Sequence, residues 1–319
     1  MKRLLAAVTV ISAAGVLAAA SPASAALVTH CIGTGGAVTV PNDLYVPAGE
    51  SCSLTGTIVT GNVSVAAGGN LVVSGGKFSG DVRIAGNGYF DASDTEVGGP
   101  VVLAAGGYGV YLRDASTGAV TVRPKGTTTV DSFLFTEGAT VTGSVNVQAG
   151  EVRVDKNTSI TGSITSTGTY YTDVHDSFVD GTVSVLNSST GSVFCGSSIR
   201  GKATFAGNLG GVQLGPNGPL DSCASGGFWG KDVSVTSTTG GVTVDDNIID
   251  GTLTATGNTP VATIADNNRI RRGVVTDPAA AAARSAARPA APRTDDTAKA
   301  DERRTEAVQE ATEAGPADL

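Results

Sequence analysis

Charge, aromatic rings, histidine and sulfur are all scarce in this 319-residue chain. Charged residues make up 16% and aromatics 5%, with one Met, one Trp, two His and four Cys. With only His30 and His175, a His-based metal site or a Ser-His-Asp arrangement has little to draw on. No H-E-x-x-H, G-x-S-x-G or P-loop motif occurs, so no cofactor and no metal are expected. There is no C-x-x-C, which argues against a zinc ribbon or a thioredoxin-like redox pair. The formal charge is −8 and no basic cluster interrupts it, which makes a poor nucleic-acid binder. What abounds is Gly, 44 residues, beside much Val, Thr and Ser. A 40% apolar content is too high for a disordered chain, and Gly does not fall at every third position as collagen needs.

The N-terminus reads as a leader. Lys2 and Arg3 precede an apolar run over residues 4–20, and Ser21-Pro22-Ala23-Ser24-Ala25 ends in an A-x-A site. Cleavage after Ala25 is the expectation, with a retained membrane anchor as the alternative. No later stretch is long and apolar enough to span a bilayer, so the cleaved chain is expected to be secreted, extracellular and free of the membrane. Cys31 follows Val28-Thr29-His30, which is not a lipobox. An oxidising compartment suits two disulfides, for which three pairings exist on paper. The local ones, Cys31–Cys52 and Cys195–Cys223, are the simplest, each contributing roughly 3 kcal/mol by constraining the unfolded chain.

The main signal is internal repetition. A unit of apolar–x–Gly–x–Val–x–Val recurs, as in IVTGNVSV at 58 and KFSGDVRI at 77. Its anchor glycines Gly61, Gly80, Gly99 and Gly118 are each 19 residues apart. Gly143, Gly162 and Gly181 resume the interval, and Gly201, Gly230, Gly251 and Gly273 continue it less regularly. A short fixed period of β-type units means a solenoid, because one coil cannot bury its own apolar face and a stack can. Alternation after each anchor points Val63 and Val65, or Val82 and Ile84, inward. The expected fold is an all-β parallel β-helix of about ten coils, 19–29 residues each, on the order of 50 Å long.

Segments such as Asn157-Thr158-Ser159-Ile160-Thr161-Gly162 and Asp246-Asn247-Ile248-Ile249-Asp250-Gly251 resemble the Asn-x-Ile-x-Gly turns of right-handed parallel β-helices, the pectin-lyase-like superfamily. The short coils also resemble those of bactofilin-type filament proteins. The resemblance spans about residues 53–277. It implies architecture and says little of activity, since that fold hosts lyases, hydrolases, adhesins and stalks. Residues 26–57 lack the anchor pattern and are expected to cap the open edge of a helix spanning 58–277. Residues 278–319 turn Ala-, Pro- and charge-rich and read as a disordered tail, with a marginal helix over 297–314 as the alternative. Two coils are enlarged, between Gly118 and Gly143 and between Gly201 and Gly230; a 195–223 bridge would tie the second excursion to its neighbour.

The densest chemistry lies on two adjacent coils: Arg153, Asp155, Asp173, His175, Asp176 and Asp180, with Tyr170 and Tyr171 beside them. Stacking would bring Arg153 to Asp173 and Asp155 to His175. Asp clusters with Arg are what polysaccharide lyases and hydrolases of this architecture use. Asp245, Asp246 and Asp266 occupy the same kind of turn, so Asp there is also a general corner residue. Phe228 and Trp229 sit at an anchor and are expected to fill the core. Ser64, Arg83, Val102, Thr121, Asn146, Thr165, Ser184, Thr204, Ser234 and Thr254 are expected to point outward as a flat, mostly small and polar face, suited to a glycan surface or to self-association. The functional expectation is a secreted, non-catalytic structural or glycan-binding solenoid of the cell envelope, with a carbohydrate-active enzyme on the acid patch as the alternative.

Overall fold

The structure, a computed structural model, describes residues 27–278 and 296–319. The expected leader and the first part of the tail lie outside the described residues. Three parallel sheets run side by side. Sheet 1 has 13 strands, from Val28–His30 to Val274–Thr276. Sheet 2 has 12, from Gly33–Gly35 to Thr263–Ile264, and sheet 3 has 12, from Thr39–Val40 to Arg269–Ile270. Each coil gives one strand to each sheet in turn, as with Val63–Val65, Asn70–Ser74 and Lys77–Phe78. This is the expected β-solenoid, with about twelve coils where the glycine pattern counted ten.

The repeat explains the core. Val63, Val82, Val101, Val120 and Val145 stack in register on sheet 1, all fully buried. Leu71, Phe90, Val110 and Leu134 do the same on sheet 2. Each such side chain contributes about 1.5–3 kcal/mol on burial. The anchor glycines form a column where one coil's backbone rests on the next. A Cβ on Gly80 would lie 2.6 Å from the Gly61 carbonyl oxygen, and one on Gly162 2.6 Å from the Gly143 carbonyl carbon. Space, not conformational freedom, fixes these glycines. Gly273, on the last coil, is different: nothing crowds it, and its φ is +91°.

Several polar interior positions are paired. Ser166 Oγ lies 2.7 Å from Thr169 Oγ1 and 2.8 Å from Thr172 Oγ1. Trp229 fills the core as expected, and its indole N–H donates to Asn247 Oδ1 at 2.9 Å. Phe228 does not: neighbours along a strand face opposite ways, and its ring is exposed on sheet 3.

Residues 26–57 are not a separate cap. Strands Val28–His30, Gly33–Gly35, Thr39–Val40, Asp43–Val46 and Ser51–Thr55 join the same three sheets in register. Val40-Pro41-Asn42-Asp43-Leu44-Tyr45-Val46 is the repeat unit with Asn42 at the anchor position. The edge is instead closed from the far end of the chain. Residues 296–319 are ordered, not a disordered tail: helix α1 (Asp296–Ala314) packs along the outside of sheet 2. It is rich in Ala and Glu and stops at Gly315, whose φ is +88°. Its buried positions are Ala300, Ala307 and Ala311. Beyond it, the Thr34 N–H donates to the Gly315 carbonyl and the Ala317 N–H to the Thr34 carbonyl, both at 2.8 Å, so this segment pairs with the first strand of sheet 2. Leu319 packs against the first coils of the core.

Both expected disulfides are present. Cys31–Cys52 has Cα atoms 5.6 Å apart and Cys195–Cys223 has them 5.5 Å apart, with no free cysteine among the described residues.

Candidate functional site

The parallel register sorts the outer face of sheet 2 into columns. Tyr89, Gly109, Phe133, Glu151 and Tyr171 form one, and Asp91, Tyr111, Phe135, Arg153 and Asp173 the next. Ser93, Arg113, Glu137 and Asp155 form the third. Side chains of chemical potential are thus gathered on one face, and two covers lie over it.

Helix α1 covers the first half. Phe133 stacks on Phe135 with centroids 4.6 Å apart, and Tyr89, Tyr108 and Tyr111 surround them. Asp91 is fully buried here. It accepts from Tyr89 Oη at 2.5 Å and from Arg113 at 2.8 Å, and is also bound by Arg304 of α1. Burial pushes its pKa up, against the pull of the Arg113 and Arg304 charges. Burial beside the Asp91 charge likewise raises the Tyr89 phenol, while burial and the bond to Glu137 push Tyr111 up to about 12. For Glu137 burial is outweighed by hydrogen bonds from Lys156 and Tyr111, and its pKa is lowered.

The excursion between Leu214 and Phe228 covers the second half. Leu220 and Cys223 pack on Tyr171, Val193 and Cys195. Gln213 accepts from the Leu220 N–H at 2.9 Å and donates to the Asp221 carbonyl at 2.8 Å. The excursion is therefore tied by a side-chain amide as well as by the disulfide.

The acid patch read from the sequence falls at the seam between the covers. Arg153 and Asp173 are direct neighbours on adjacent strands, as stacking implied. Arg153, however, pairs with Glu151 at 3.0 Å, lies 4.5 Å over the Phe135 ring and touches Thr297 of α1. Asp173 is buried, 2.7 Å from His175 Nε2. Burial alone would lower the His175 pKa, but Asp173, Asp221 and Asp155 outweigh it and the pKa is raised. Asp176 and Asp180 do not join this group. Asp176 takes the corner with φ +44°, and Asp180, one corner further on, pairs with Arg200 at 2.9 Å on the surface. Asp221 is the member that residue spacing missed. Its Oδ2 lies 3.8 Å from His175 Nε2. The signal for it was the disulfide, because Cys195 is the register neighbour of His175 and Cys223 carries the 219–223 segment over it. Asp173, His175 and Asp221 offer ligand atoms within 4.8 Å of one another, a donor set that suits a divalent cation.

Elsewhere, a cleft of about 750 Å³ opens at the corner between sheets 2 and 3, lined by Ser198, Phe228, Asp246, Ile248, Asn267 and Arg269. No helix among the described residues is long and apolar enough to cross a membrane. Comparison with protein-family models, curated proteins and solved structures found no match. The likeness to β-helix proteins therefore rests on architecture alone.

Proposed function

We propose that this chain is an exported, non-catalytic scaffold whose open sheet-1 face lies along a regular polymer, an extracellular or cell-wall glycan. The observation that carries this reading is the division of labour between faces. Sheet 2 holds its outward acids, bases and aromatics under cover. Sheet 1 is open and repeats small polar groups in register: Thr165, Ser184, Thr204, Ser234 and Thr254 form one unbroken column, while a second, Thr167, Leu186, Ala206, Thr236 and Thr256, is interrupted by Leu186 and Ala206. Coils stacked at about 4.8 Å present these hydroxyls as a flat lattice that hydrogen-bonds a periodic chain without enclosing it. Two disulfides suit the oxidising conditions outside the cytoplasm. The test is co-sedimentation of the full chain with insoluble polysaccharides. Thr204→Glu with Thr254→Glu is expected to weaken binding at least tenfold, while Asp180→Ala leaves it unchanged. Equal binding by both variants would remove the sheet-1 reading.

A second reading, a carbohydrate-active enzyme, draws on the seam, where Arg153, Asp173 and His175 converge. Release of soluble sugars by the wild type, abolished by Asp173→Ala in a folded variant, would replace the scaffold reading.

A further inference from the structure

Helix α1 and the platform beneath it are mismatched in what each loses on separation. The helix contributes Ala300, Ala307 and Ala311 to the buried contact, and otherwise polar and charged groups, among them Asp301 to Arg113 at 3.2 Å and Glu310 to Ser51 at 2.6 Å. Arg304 pairs with Asp91; Lys299 Nζ sits 5.0 Å from the Tyr108 ring centroid; Arg303 lies 4.9 Å over the same ring and donates to Asn70 Oδ1 at 2.8 Å. A free α1 would expose three methyl groups and hydrated charges, which water tolerates. A bare platform would expose five aromatic rings and take Arg304 from Asp91 and Asp301 from Arg113, a patch that soluble proteins rarely leave open. The helix itself thus loses little on release, whereas the platform, and the Thr34 edge that residues 315–319 cover, are costly to leave empty.

The connection does not dictate which platform the helix fills. Seventeen residues, 279–295, separate the last described solenoid residue from α1. Such a length spans up to roughly 60 Å extended, about the length of the whole stack. We propose that α1 is an exchangeable docking element that occupies the sheet-2 platform of a second copy of this chain as well as its own. The occupant is identified by charge and shape. Asp91 of the platform takes Arg304, Arg113 takes Asp301, Ser51 takes Glu310 and the Tyr108 ring takes Lys299 and Arg303, with small residues between them, and another copy of α1 carries every one of these partners. Reciprocal exchange closes a dimer, and non-reciprocal exchange extends a row of solenoids. This goes beyond the scaffold reading and does not depend on glycan binding.

The test uses two full-length variants. In Arg303→Glu with Arg304→Glu the helix is disabled and the platform kept. In Asp91→Arg the platform is disabled and the helix kept. The mixture is expected to give a one-to-one heterodimer by native mass spectrometry and sedimentation, absent from either variant alone. A mixture that stays monomeric, with both variants folded by circular dichroism, overturns the proposal. Should either variant fail to fold, isotope-labelled and unlabelled wild-type chains are mixed at high concentration instead. Mixed-mass dimers then support exchange, and monomers throughout overturn it.

Discussion

The two covers of sheet 2 solve one problem by different means. Both lie over outward aromatic and charged side chains that a bare sheet could not expose. Helix α1 does so with ion pairs, cation–π contacts and three alanines. The excursion uses a disulfide, a buried amide and the Leu220 side chain. The first is reversible and sensitive to charge. The second is covalent and sensitive to redox conditions and, through His175, to pH. The difference predicts that the helical half of the face opens more readily than the cross-linked half.

The strongest way to break this contrast is Asp91→Ala. It takes the buried carboxylate from Arg304 and leaves Arg113 with Asp301 of α1 alone, and is expected to destabilise by about 3 kcal/mol, read by denaturation and by faster amide exchange in α1. Next comes Cys195→Ser with Cys223→Ser. Opening a closed loop of this size is expected to cost about 2–4 kcal/mol, with fast exchange confined to residues 215–227 and α1 unaffected. Loss of protection in both covers together would show that they are one unit.

A smaller effect is expected from pH. The folded His175 pKa is raised above its ordinary 6.5, so its tie to Asp173 and Asp221 contributes fully below that value. The contribution is lost as pH rises through the folded pKa. Exchange in residues 219–223 should quicken over that interval, and His175→Gln should flatten the response. The smallest effect is that of salt. At 1 M the screening length falls to about 3 Å, which should speed exchange in α1 by a few-fold while leaving the excursion unchanged. Equal responses would erase the distinction between the covers.

Much of this could be read from residue order. The glycine spacing located the coils because backbone contact at that corner excludes any Cβ. The same rule hid the first coils, where Asn42 stands at the corner below the column. For the tail, the alternative of a helix over 297–314 matches α1, while the disordered reading misled because the apolar half of the contact belongs to the sheet: an alanine stripe spaced 300, 307, 311 gives almost no amphipathic signal. In the site, Arg153 beside Asp173 followed from a regular coil. Asp180 was misassigned because eight residues in this fold turn a corner. Asp221 was invisible because an excursion obeys no register.

The segment that closes the first edge lies far along the chain. Thr34 pairs with residues 315–317, some 281 positions later. As the polypeptide emerges N-terminus first, coil after coil can zip onto its predecessor through neighbours about 20 residues away, yet the opening strand of sheet 2 must wait for almost everything else to appear. Any product that stops short of residue 315 carries a stack with a sticky end. The edge that emerges early is thus shielded by its own chain only once residues 315–317 have been made.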